Sequence, residues 1–281
     1  MITDIYCFGS SYTAGGGYEF DSNWFEEITS ENIKSWKEYL DNQTETPKTN
    51  WNYSWPGQLQ KLLNNDIKVH NLAKQGYGNQ RTLRKVYELI NSKEFKKETS
   101  LLLFEFTWLA RDEIYSNHLK KYLVHNYSIE DDKFIKGYLA QSHHYDDSEI
   151  YQYLNSDKIW NTVNDYYKLF WNGHDQDIKM TRELEYLMGF LETIEIKWYQ
   201  VESTIQYKHI TPSKINRDFE IKFDGDRSFY NFALNNNLTI EQETDGLVKD
   251  THISLKGNKI ISKIIFDFLI KNNIIQKNTI F

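Results

Sequence analysis

The stretch Ile5-Tyr6-Cys7-Phe8-Gly9-Ser10-Ser11-Tyr12-Thr13-Ala14-Gly15-Gly16-Gly17 changes abruptly from apolar residues to small and hydroxyl-bearing ones. Its apolar half predicts a short buried strand. Gly9 lets the chain turn sharply at the strand's end, which puts Ser11 at the carboxyl edge, and Gly15 to Gly17 keep bulk away from it. In open α/β sheets that edge is where ligands bind and chemistry is done. A serine after a strand is commonly a turn or capping residue, so Ser11 gains weight only if partners for it follow in the chain.

Outward from this stretch, strand and helix patterns alternate. Ser54-Trp55-Pro56 opens a helix, proline being suited to the first turn, with Leu59, Leu62 and Leu63 on its buried side and an end near Asn64. Ile67 to Leu72 reads as a second strand, and Gly76 to Asn79 as a turn, with Asn79 capping the next helix. That helix carries Leu83, Val86, Tyr87 and Ile90 at the spacing of one apolar face. Leu101 to Phe106 is nearly continuously apolar, as expected of a central parallel strand covered on both sides. Later, Met180, Leu184, Leu187 and Leu191 mark a helix running into Ile194-Glu195-Ile196-Lys197-Trp198, where the period shortens to that of a strand. Asp224-Gly225-Asp226 marks a turn, and a closing helix from about Ser254 bears Ile261, Ile264, Ile265, Phe268 and Leu269. The β-α-β-α-β order predicts an α/β fold, a three-layer α/β/α sandwich around a parallel sheet, as one domain over residues 1–281. Two excursions interrupt it, at about 18–53 and 108–177; the second contains a predicted helix with Ile159, Val163, Tyr166 and Phe170. Both are expected to lie beside the functional edge as a helical or loop insertion.

A serine hydroxyl attacks poorly at neutral pH unless a base takes its proton and an acceptor orients that base. Of the eight histidines, His252 stands where a loop ahead of the last helix can deliver it, in Asp250-Thr251-His252-Ile253-Ser254-Leu255-Lys256-Gly257. Asp250 and His252 are two apart, so in extended backbone they point the same way and the carboxylate can reach the imidazole or fix its loop. A carbonyl under attack also needs hydrogen-bond donors for its oxygen, and backbone N–H groups at glycine turns suit that task.

Three segments, in order, carry a family resemblance. Gly9-Ser10-Ser11-Tyr12-Thr13 resembles the Gly-Asp-Ser-x-Thr block of the SGNH (GDSL) hydrolase superfamily, with Ser11 as nucleophile and Ser10 where the family has Asp. Asn71-Leu72-Ala73-Lys74-Gln75-Gly76 resembles the second block, which implies Gly76 as a backbone oxyanion donor. The segment around Asp250 and His252 resembles the closing Asp/His block, in the Asp-x-His spacing of the branch that O-acetylates polysaccharides. The third block, Gly-x-Asn-Asp, is not matched: after the central strand the chain reads Thr107-Trp108-Leu109-Ala110-Arg111, and register puts Thr107 in the asparagine's place. The resemblance implies a flavodoxin-like topology and a serine esterase or deacylase acting on acyl esters, O-acetylated carbohydrate among them. Ser11, His252 and Asp250 would form the triad; Ser11, Gly76 and Thr107 the oxyanion hole; and Tyr12, Asn79, Trp108 and Arg111 the substrate contacts, although for Arg111 an ion pair with Asp112 or Glu113 is the favoured reading. Acyl transfer to a sugar hydroxyl uses the same residues. A different class, a catalytically weak binding or structural protein of a glycan-handling or virus-like assembly, follows from the lost Asp and Asn.

Composition narrows the field. With 281 residues, 40% of them hydrophobic and 16% aromatic, one large core plus an insertion is affordable. A net charge of −7 and a pI near 5.7 leave no electrostatic footprint for nucleic acid. Cys7, the single cysteine, rules out an intramolecular disulfide and reads as a small buried hydrophobe. No basic region precedes an apolar run at Met1-Ile2-Thr3-Asp4, and no stretch is long enough to span a bilayer, so a soluble cytoplasmic protein without membrane partners is expected. His143-His144-Tyr145-Asp146-Asp147 and His174-Asp175-Gln176-Asp177 mix metal-ligating residues but lack zinc or calcium spacing. Gly15 to Gly17 lack the Lys-Ser/Thr of a phosphate loop. No metal or organic cofactor is expected, and the partner is an acylated small molecule or glycan.

Overall fold

A computed structural model describes residues 1–16, 48–63, 67–74, 78–107, 111–116, 121–126, 129–130, 133–134, 173–202, 220–223, 229–240 and 252–276. Four strands form an all-parallel sheet: β1 (Asp4–Phe8), β2 (Lys68–Asn71), β3 (Ser100–Phe106) and β8 (Lys197–Glu202), in the order β2-β1-β3-β8. The register sets Ile5 opposite Val69 and Leu101, and Leu103 opposite Tyr199. Because successive side chains alternate sides, each strand feeds two cores. Ile5, Cys7, Leu101, Leu103 and Val201 face one way, against Trp55 and Leu59 of α3 (Trp55–Leu62) and Ile261, Ile265 and Leu269 of α7 (Leu255–Lys271). Tyr6, Phe8, Leu102, Phe104, Phe106 and Trp198 face the other way, against Val86 of α4 (Asn79–Ile90) and Met180, Leu184, Met188 and Leu191 of α5 (Gly173–Thr193). Parallel strands covered on both faces need continuous apolar sequence, and every residue of β3 is buried.

The helix starts follow their sequence signals. Ser54 caps α3, its hydroxyl accepting from the Gly57 N–H at 3.3 Å, with Pro56 in the first turn. Ser254 caps α7 in the same way, accepting from the Gly257 N–H at 3.1 Å while donating to the Leu238 carbonyl at 2.8 Å. Cys7 is fully buried, and burial pushes its thiol well up, as a small hydrophobe of the core. No described helix is long and apolar enough to cross a membrane.

Four expectations need correction. Ile194 to Ile196 are not strand: the chain turns there with Glu195 at φ 59°, the Ile196 N–H closing onto the Leu191 carbonyl, and β8 starts at Lys197. Tyr87 is 70% exposed; the buried stripe of α4 runs through Asn79, Thr82 and Val86. Asn79 is not the cap of α4, since Gly78 holds that place. The 108–177 excursion, expected as a helical or loop insertion, contains strands, with β4 (Arg111–Ser116) antiparallel to β5 (Lys121–Asn126) and a short pair β6 (Ile129–Glu130) and β7 (Lys133–Phe134), before α5 begins at Gly173. The helix predicted around Ile159 and the turn at Asp224 lie outside the described residues.

Candidate functional site

The strand order fixes where a site can form. From β1 the chain crosses to β2 on one side, then returns past β1 to β3 on the other, so β1 and β3 end at the topological switch point of the sheet. Ser10 and Ser11 follow β1, and Thr107 follows β3. A short helical turn, α1 (Ser11–Ala14), starts at this edge and ends at Gly15, whose φ of 79° is left-handed and favours glycine.

The turn is held from three directions. From beneath, Glu105 of β3, brought level with Gly9 by the pairing of Phe8 with Phe104, places its carboxyl under the start of α1. Its Oε2 accepts from the Ser10 N–H at 3.1 Å and the Thr13 N–H at 2.9 Å, and its Oε1 accepts from the Ser10 hydroxyl at 2.6 Å. From the end of β2, the Asn71 amide donates to the Thr13 carbonyl at 2.9 Å, while its Oδ1 accepts from the Ala73 N–H at 3.1 Å. From α3, the Trp55 indole donates to the Thr13 hydroxyl at 3.2 Å. The first two sequence blocks therefore meet in space, joined through Thr13. Burial raises the Glu105 carboxyl above its usual range, against the pull of the hydrogen bonds from Ser10 and Thr13.

The two serines differ in kind. Ser10 is fully buried and bound to Glu105. Ser11 retains 7% exposure, and among the described residues its side chain makes no hydrogen bond, to His252 or to any other.

His252 is delivered to this edge by a well-anchored loop. Its carbonyl accepts from the Ile240 N–H at 2.8 Å, and the Ser254 N–H donates to the Leu238 carbonyl at 2.9 Å, so the backbone on both sides is bridged to one segment. The Ile253 carbonyl accepts from the Tyr53 hydroxyl at 2.9 Å and the Asn258 amide at 3.2 Å. Tyr53 closes α2 (Lys48–Tyr53), so the end of that helix is tied to the loop that carries His252. The half-buried imidazole lies beside Tyr12, ring centres 5.3 Å apart, and Tyr12 in turn approaches Tyr230 of α6 (Phe229–Asn235) at 5.4 Å. His252 is thus adjacent to the residue after Ser11, across some 240 positions of sequence.

No family model matches this chain, and no curated protein matches it. What it can do therefore rests on the site itself.

Thr107, 3% exposed, is fixed by Asn79 across the edge. The Asn79 Oδ1 accepts from the Thr107 N–H at 2.9 Å and its amide donates to the Thr107 carbonyl at 2.9 Å, imitating a strand partner. Asn79 is itself 1% exposed, so what the geometry shows for it is positioning of Thr107. Replacing Asn79 with leucine is expected to leave both Thr107 backbone groups without partners and to lower stability by roughly 1–3 kcal/mol per group, read from the urea midpoint. An unchanged midpoint would mean that Thr107 is held by other contacts.

Gly76, Trp108 and Asp250 lie outside the described residues, and Arg111 opens β4 opposite Asn126. Of the metal-ligand mixtures, His143 to Asp147 lie outside the described residues, and His174 to Asp177 fall in the first turns of α5. No group of three or more His, Cys, Asp or Glu suited to a metal occurs among the described residues. Sequence reasoning missed Glu105, Trp55 and Tyr53. For Glu105 a signal was present, namely one acid inside an otherwise apolar central strand, which demands buried partners.

Proposed function

We propose that this protein is an SGNH-like serine hydrolase acting on acyl esters, with O-acetyl groups on carbohydrate among its candidate substrates, and working as a soluble cytoplasmic protein. The observation that carries the reading is the packing of His252 against Tyr12, the residue after Ser11, beside the switch point of a parallel sheet, with Ser10 withdrawn into a buried bond to Glu105. The order β2-β1-β3-β8 with helices on both faces supports the three-layer, flavodoxin-like form of that fold. In this mechanism Ser11 Oγ attacks the acyl carbon as its proton passes to His252, oriented by Asp250. The leaving alcohol takes that proton as the ester C–O bond breaks, and water attacks the acyl-enzyme by the same route in reverse. The N–H groups of Ser11 and Gly76, with Thr107, hold the oxyanion. If a sugar hydroxyl attacks instead of water, the same residues run an acyl transfer.

Labelling of the folded protein with a fluorophosphonate tests the proposal, since Ser11 attack on phosphorus expels fluoride and leaves a mass tag. A tag on Ser11 supports the enzyme. The competing reading, a catalytically weak binding protein, is favoured by the lack of a Ser11–His252 hydrogen bond, although such contacts often tighten only when substrate binds. Folded protein that takes up no label would decide for it.

A further inference from the structure

Glu105 is the one carboxyl group among the described residues that is wholly buried, and no cation among those residues pairs with it; three donors from the Ser11 turn converge on it instead. Ser10 stands at the capping position of α1 by backbone conformation, φ −95° and ψ −153°, yet its side chain makes no capping bond. A capping serine ordinarily accepts from the N–H two or three residues on. Here the Thr13 N–H, which Ser10 would satisfy, donates to Glu105, and the Ser10 hydroxyl has become a donor to the same group. The cap has been moved to another strand, 92 positions away in sequence.

We propose that Glu105 is a positioning residue for Ser11: its two oxygens cap the nucleophile turn from β3, and what the turn requires is an acceptor at that place, whether it is carried by position 105 or by position 10. Alignment sets the rate of a nucleophile, and displacement by about 1 Å costs up to roughly a hundredfold. The kinetic half of this inference rests on the reading of Ser11 as nucleophile; the structural half does not.

Three variants separate anchoring from mere filling of space. Glu105→Ala removes every acceptor. Glu105→Gln keeps one oxygen for the two N–H groups. Ser10→Asp combined with Glu105→Ala returns a carboxylate from the capping position into the space vacated. Two readouts are taken on each folded protein: amide exchange at Thr13, and the rate of fluorophosphonate attachment to Ser11. The expectation for Glu105→Ala is faster exchange at Thr13 and labelling slowed by about tenfold or more. Glu105→Gln should stay within severalfold of the parent, and the double variant should regain most of both losses. A double variant as slow and as exchangeable as Glu105→Ala overturns the proposal, as does a Glu105→Ala protein whose Thr13 amide is as protected as before. If Glu105→Ala does not fold, recovery of the folded state by Ser10→Asp decides the matter, and its failure counts against the anchor. A parent protein without label on Ser11 sinks the nucleophile while the exchange data still judge the anchor.

Discussion

Ser11→Ala is expected to lower turnover of a short-chain aryl ester by roughly four orders of magnitude or more, the scale on which removal of a serine nucleophile acts in such triads. His252→Ala should fall nearly as far, and the double variant little further, because the members act as a unit. The informative control is one residue away. Ser10→Ala should keep most of the activity, since Ser10 is fully buried and out of reach of substrate. Its cost appears in stability instead: the Glu105 Oε1 loses the donor it holds at 2.6 Å, and a buried acceptor left unsatisfied costs about 1–3 kcal/mol. The two serines therefore separate activity from folding, measured by ester turnover and urea denaturation on the same preparations. The opposite pattern, with activity kept in Ser11→Ala and lost in Ser10→Ala, would place the nucleophile at Ser10 with Glu105 as its base.

The parts of the fold that were legible in the sequence are those set by local chemistry. The apolar strands β1 and β3, the helix starts near Ser54 and Ser254 and the apolar faces of α5 and α7 each follow from contiguous residues, and the parallel sheet follows from the alternation of strand and helix. Where the reading slipped, two local solutions competed. Ile194 and Ile196 alternate as a strand does, but the same spacing serves a helix that closes through a turn at Glu195. Tyr87 fits an apolar helical face by spacing alone; yet it lies about 100° around the axis from Val86, whose burial the sheet dictates. The site was legible only through its blocks. Asn71, Ser11 and His252 come to the same edge, but the group that joins the first block to the central strand is Glu105, and its bonds span 92 to 95 positions. A pattern of apolar residues carries no record of such a partner. The sequence flags only that an acid in a buried strand must have one.

Gly9→Ala is expected to be strongly damaging. A Cβ built on Gly9 would lie 2.5 Å from Glu105 Oε2, 2.7 Å from Thr13 Oγ1 and 2.8 Å from Glu105 Cβ. None of the three can yield cheaply. Glu105 is fixed by its strand and by the donors of Ser10 and Thr13, while the Thr13 hydroxyl accepts from the Trp55 indole. Overpacking of a tight interior costs roughly 1–3 kcal/mol. Displacing the carboxyl would add about 1–3 kcal/mol for each N–H left unsatisfied. A loss of about 3 kcal/mol or more is thus expected from the urea midpoint, with Ser11 labelling falling alongside it. Gly189, in α5, supplies the matched control: a Cβ there meets nothing within 4 Å, so Gly189→Ala should gain about 0.5–1 kcal/mol from helix propensity alone. Equal and small effects at the two glycines would show that Glu105 can retreat from the turn without cost, and that close approach of β3 to the turn is not what holds Ser11 in place.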